Sequence, residues 1–85
     1  MKTDFSKHAI EQMQRRQISV AIANKILKNP DQILEEDGYR VYQSIIPDKG
    51  KNYLIRIFVN HHKNPNFVIT AYKTSKTGKY YEGEI

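Results

Sequence analysis

His8, Arg15, Arg16, Thr70 and Tyr72 are the residues of this chain whose types could do chemistry together. The chemistry they suit is phosphodiester cleavage. RNA carries its own nucleophile, the 2′-hydroxyl. A protein that cuts it needs a base for that proton, an acid for the leaving oxygen, and donors for the charged phosphorane. Imidazole can shuttle the proton, and a guanidinium, from Arg15 or Arg16, grips two phosphate oxygens at once. Hydroxyls of Thr70, Ser75 or Tyr80 could donate to the phosphate. Aromatic rings can stack on splayed bases. Each residue also has a plain structural reading. His8 and the arginines could be a solvated helix flank, and Thr70 and Tyr72 could fill a strand.

Other chemistries find less. His61 and His62 are adjacent, so they are expected to point apart, with no carboxylate at ligand spacing. The four glycines are scattered at turns and form no phosphate-binding loop. There is no cysteine for a thiolate nucleophile, a disulfide or a zinc site. No serine sits in a nucleophile elbow. The composition therefore calls for no cofactor and no metal.

Fourteen Lys and Arg stand against nine Asp and Glu, a net charge of +5. Asp31, Glu35, Glu36 and Asp37 form one acidic group, and Glu82 and Glu84 another. The remainder is basic, with Lys7, Arg15 and Arg16 early and Lys73, Lys76 and Lys79 late. If those two regions meet, they make a positive face that suits a polyanion. The opening residues lack the apolar core of a signal peptide, and no stretch reaches the ~20 apolar residues of a membrane span. A cytoplasmic location is the expectation.

The elements that must position these residues follow from periodicity. Phe5, Ala9 and Met13 recur every four residues and predict a helix over 5–16, capped by Asp4 or Ser6. His8, Gln12 and Arg15 line up beside that stripe, with Arg16 on its edge. Ser19 caps a second helix over 20–28, which Asn29-Pro30 ends. Strands are expected at 32–36, 39–46, 53–59 and 67–73, with turns at Asp37-Gly38 and at 47–50. In the third strand Leu54, Arg56 and Phe58 face one way, and Tyr53, Ile55, Ile57 and Val59 the other. The expected fold is α+β: one domain over 1–85, two N-terminal helices packed on a four-stranded antiparallel sheet.

The opening Phe5-Ser6-Lys7-His8-Ala9-Ile10-Glu11-Gln12-Met13-Gln14-Arg15-Arg16-Gln17-Ile18-Ser19 resembles an S-x-H-A-x-x-R-M-x-x-R-x-I-S pattern. That pattern marks a family of small bacterial domains of unknown function linked to toxin–antitoxin modules. Asn29-Pro30, the acidic-to-glycine turn, and Ile69-Thr70-Ala71-Tyr72-Lys73-Thr74-Ser75-Lys76 with Lys79-Tyr80 resemble its closing signature. The resemblance spans about residues 5–81. This family is similar to the RelE-like and barnase–EndoU–colicin (BECR) ribonucleases.

The resemblance implies a metal-independent endoribonuclease, the toxin of a toxin–antitoxin pair. His8 would transfer the proton, and Arg16 would bind the scissile phosphate. Thr70 and Tyr72 would position phosphate and base. Arg15, Lys73, Ser75, Lys76, Lys79 and Tyr80 would extend the RNA contact. Gln12 stands where the pattern has its first arginine. The implied partners are RNA (mRNA or tRNA, free or on the ribosome) and an acidic antitoxin protein. The same basic face would equally serve a non-catalytic RNA-binding module, or a module that docks an antitoxin-like peptide.

Overall fold

The computed structural model describes residues 3–83. Glu84, half of the C-terminal acidic pair, lies outside them. The elements run β1 (Thr3–Phe5), α1 (Lys7–Arg15), α2 (Val20–Lys28), β2 (Gln32–Glu36), β3 (Tyr39–Asp48), β4 (Lys51–Asn60), β5 (Asn66–Thr74) and α3 (Thr77–Tyr80).

The strands form one five-stranded sheet in the order β1-β5-β4-β3-β2. β2 to β5 are an antiparallel meander, and β1 adds to β5 in parallel. The expectation of two helices on a four-stranded antiparallel sheet is thereby corrected to a mixed five-stranded sheet with three short helices. The discrepancy has a physical source. β1 is three residues long and pairs with a strand some sixty residues downstream, Thr3 opposite Asn66. Three residues carry no readable alternation, and Phe5 fits the apolar stripe of a helix as well as a strand. Phe5 ends β1, and Ser6 alone caps α1.

Two tight turns make the meander. Asp37-Gly38 and Lys49-Gly50 all have positive φ, the geometry of two-residue hairpin loops that match strand twist. The second turn is tighter than the expected 47–50 loop, because Pro47 pairs with Asn52 and Asp48 with Lys51.

One face of the sheet holds the core. Tyr42, Ile55, Ile57, Val59, Val68 and Ala71 pack there against Ala9, Met13, Ile18, Ala23, Ile26 and Leu27. Between Thr70 and Val68 the register against β4 slips by one residue, so Ile69 is extra. Such a bulge frees a backbone group from the ladder. Here the Ile69 carbonyl accepts the Ser6 hydroxyl at 3.2 Å, while Ser6 Oγ accepts from Ala9 N–H at 2.9 Å. The bulge thus sets where α1 begins.

α1 ends in paired backbone bonds, Ile18 N–H to the Met13 carbonyl and Gln17 N–H to the Gln14 carbonyl. This end normally places glycine at the left-handed position. Gln17 holds that position with φ 57°. A non-glycine residue there costs roughly 1 kcal/mol. Gln17→Gly is therefore expected to raise stability by about 0.5 kcal/mol after the extra entropy of the unfolded glycine is counted. Urea unfolding checks it, and a destabilised variant would refute it.

Candidate functional site

The face of the sheet opposite α1 and α2 carries a buried cation. Arg56, in the middle of β4, is 2% exposed and is the largest fully buried side chain among the described residues. Its register partners are Gln43 on β3 and Tyr72 on β5. Arg56 Nε donates to Gln43 Oε1 at 2.8 Å, and Nη1 donates to the Tyr72 hydroxyl at 2.8 Å. Nη2 donates to Glu36 Oε2 at the end of β2. The guanidinium also lies 4.8 Å from the Tyr80 ring centroid, 5.4 Å from Phe58 and 5.8 Å from Tyr72. Burial disfavours its charge. The hydrogen bonds to Glu36 and Tyr72 outweigh that and hold its pKa above the usual guanidinium value.

The C-terminal segment is laid over this face by side-chain amides. Gln43 Nε2 donates to the Tyr80 carbonyl at 3.2 Å and to Gln32 Oε1 at 2.8 Å. Gln32 in turn donates to the Glu82 carbonyl and accepts from Glu82 N–H, as a strand neighbour would. These bonds explain why α3 forms at all. It is one turn long, contains Gly78 and buries no side chain. Propensity alone would not make such a helix.

Arg16 is the C-cap of α1, and its guanidinium lies 5.9 Å from the Tyr72 ring centroid. Tyr72 meets Tyr80 edge-on at 6.1 Å, and Lys79 Nζ lies 5.3 Å from the Tyr80 ring. Arg16, Tyr72, Tyr80 and Lys79 therefore form one continuous aromatic and cationic strip. The early and late basic regions meet through it.

α1 is tied to β5 near both ends, by Ser6 at Ile69 and by Arg16 at Tyr72. His8 and Gln12 lie between these anchors, about two turns and one turn before Arg16 respectively, on the flank that leads to it. His8 is exposed on the first turn, and its side chain makes no hydrogen bond to another described residue. Thr70 pairs with Phe58 and is half-buried on the Arg56 face. Arg15, Ser75 and Lys76 are exposed, the last two between β5 and α3. Lys73 is placed elsewhere. It projects on the helix-covered side, where it pairs with Asp48 at 3.3 Å and lies 4.5 Å from the Tyr53 ring.

Arg56, Gln43, Glu36 and Gln32 were missed as site residues in the sequence reading. A signal existed, since a charged residue between Leu54 and Phe58 on one face of a central strand must find partners. Nothing local says which residues supply them. The histidine pair also differs from expectation. The His61 and His62 rings lie 4.2 Å apart, and Glu35 lies 3.6 Å from His61 Nε2. Among the described residues no group of three His, Asp or Glu could hold a metal ion, and no helix is long and apolar enough to cross a membrane.

A family model described as "Domain of unknown function (DUF4258)" matches residues 5–73. No curated protein and no solved structure matches the chain.

Proposed function

We propose that this chain, which belongs to the DUF4258 family of domains of unknown function, is a metal-independent endoribonuclease and the toxin of a toxin–antitoxin pair. The observation that carries the reading is the seat of Arg16 over the Tyr72 ring, 5.9 Å from its centroid. It joins the polar flank of α1 to the late-strand residues that a cleavage site would need. The likeness to RelE-like and BECR ribonucleases supports it through the motif residues His8, Arg16, Thr70 and Tyr72.

In this reading RNA lies across α1 and β5, where Arg16 meets Tyr72. The 2′-oxygen attacks phosphorus and its proton passes to the His8 imidazole. The bond from phosphorus to the 5′-oxygen breaks, and that oxygen takes a proton from solvent. The products are a 2′,3′-cyclic phosphate and a 5′-hydroxyl. Arg16, reaching the phosphate from the helix end, stabilises the pentacovalent state. Thr70 donates to a phosphate oxygen. Tyr72 and Tyr80 stack on bases, and Arg15, Ser75, Lys76 and Lys79 extend the contact. An acidic antitoxin would cover the same basic face.

Purified protein with labelled RNA in chelator tests this. Cleavage with cyclic-phosphate ends is expected. His8→Ala should lower it by about 10²–10⁴-fold, and Arg16→Ala by about 10²–10³-fold. Cleavage that needs magnesium and survives His8→Ala would overturn the reading. A second reading has its own observation, since no described residue orients His8. It is a non-catalytic RNA-binding module, and it expects intact RNA that shifts in a gel and is released by salt.

A further inference from the structure

Among the described residues Glu36 is the only carboxylate bonded to Arg56, and the pair is lopsided. Arg56 is sealed at 2% exposure, while the Glu36 side chain is 44% exposed. Glu36 ends β2, beside the Asp37-Gly38 turn, so its side chain can swing to solvent without disturbing the sheet. It engages the guanidinium at Nη2 only. A carboxylate that stabilised the fold best would fork across two guanidinium N–H groups. Arg56 has five N–H groups, and three hydrogen bonds are made to described residues. One N–H on each Nη therefore makes no hydrogen bond to a described residue.

The other two partners are neutral and fixed. Gln43, 0% exposed, and the Tyr72 hydroxyl hold the guanidinium plane whether or not Glu36 is present. Three aromatic rings surround it and keep water away, which strengthens an ionic contact. The neighbouring cations, Arg16 over Tyr72 and Lys79 over Tyr80, have no carboxylate partner among the described residues.

We propose that Glu36 is a tethered stand-in for a ligand oxyanion, and that the Nη edge of Arg56 is a phosphate seat on the Arg16–Tyr72–Tyr80 surface. A phosphate displaces Glu36, takes the Nη2 N–H that Glu36 held together with an unused one, and leaves the Gln43 and Tyr72 bonds in place. The seat stands on the Arg56 geometry. That its phosphate belongs to an RNA strand rests on the reading above. The strand's bases would then lie against Tyr72 and Tyr80, and Glu36 would set a threshold that a weak anion does not cross.

Glu36→Gln tests this, because it keeps the shape and an acceptor but removes the competing charge. Thermal melts are compared in inorganic phosphate and in chloride at equal ionic strength. Phosphate is expected to raise the melting temperature of Glu36→Gln well beyond its effect on wild type, and to shift the Arg56 Nε–H resonance saturably. Should the variant lose its fold in chloride, recovery in phosphate is the same expected result. Equal shifts in both proteins, or none, would overturn the seat. In a second arm, a short single-stranded RNA with a 2′-deoxy scissile position should bind Glu36→Gln about 10–100-fold tighter than wild type, the worth of a charge-assisted bond. Phosphate rescue without tighter RNA binding would assign the seat to a free phosphate and overturn the RNA part alone. Neither arm requires cleavage, so failure here is separable from failure of the nuclease reading.

Discussion

Arg56→Ala is expected to cost about 3–5 kcal/mol of folding stability, from the cavity and the unpaired buried amide it leaves. Three effects add in the same direction. Gln43, 0% exposed, loses the donor to its carbonyl oxygen. An unsatisfied buried amide costs about 1–3 kcal/mol. The Tyr72 hydroxyl loses its donor. The space under Phe58, Tyr72 and Tyr80 is left unfilled, a cavity between aromatic walls. Small domains have total stabilities near the lower end of about 5–15 kcal/mol. The variant should therefore be close to half unfolded at physiological temperature. Arg56→Lys keeps the charge but cannot reach three acceptors in one plane, so it should fall between. Urea unfolding of the three proteins measures this. A loss below about 1 kcal/mol for alanine would show that the pair stabilises little in the folded state.

That expectation explains which parts of the molecule were legible in the sequence. α2 and β2 have the bounds expected, 20–28 and 32–36. Their signals are local: a serine cap, a four-residue apolar period, a proline stop, an Asp-Gly turn. The two faces of β4 were legible too, since alternation over seven residues leaves one register in which the apolar set is buried. The parts not legible were held together by distant residues. β1 exists because β5 offers it an edge. α3 exists because Gln32 and Gln43 bind the backbone of the segment at Tyr80 and Glu82. The polar network around Arg56 draws on β2, β3, β4 and β5 and on the C-terminal segment, and no spacing in the chain announces it.

The candidate site divides the same way. Arg16 and Tyr72 were expected to share a site, and they are in contact. Lys73 was expected beside them, but strand alternation puts it on the opposite face from Tyr72. Its position one residue after Tyr72, and not its charge, decides its face. Ile69, the bulge residue, shifts the phase of β5 so that both Val68 and Ala71 reach the core. Those two positions are three apart, and a strict two-residue period cannot bury both.

Ile57→Ala is the second large effect. Ile57 is 0% exposed on the helix-covered face of the central strand, with Tyr42 and Ala71 as its register neighbours on either side. Strands flank it and helices cover it, so the surroundings have little room to collapse into the gap. Truncation of a buried isoleucine costs about 2–5 kcal/mol, and a site that cannot relax lies in the upper half of that range. Ile33 is the internal control. It has the same side chain on the same face of the sheet, but on edge strand β2, and is 51% exposed. Ile33→Ala should change stability by no more than about 0.5 kcal/mol. The pair therefore asks whether α1 and α2 bury only the middle of the sheet. Equal losses in urea unfolding would mean that Ile33 is covered in solution by something further, and the edge at β2 would become the first place to look for a partner. Unequal losses, with an unchanged dependence on urea, would locate the stability of the fold over β3, β4 and β5. The Arg56 face would then be where this small domain carries polar residues that hydrophobic burial does not require.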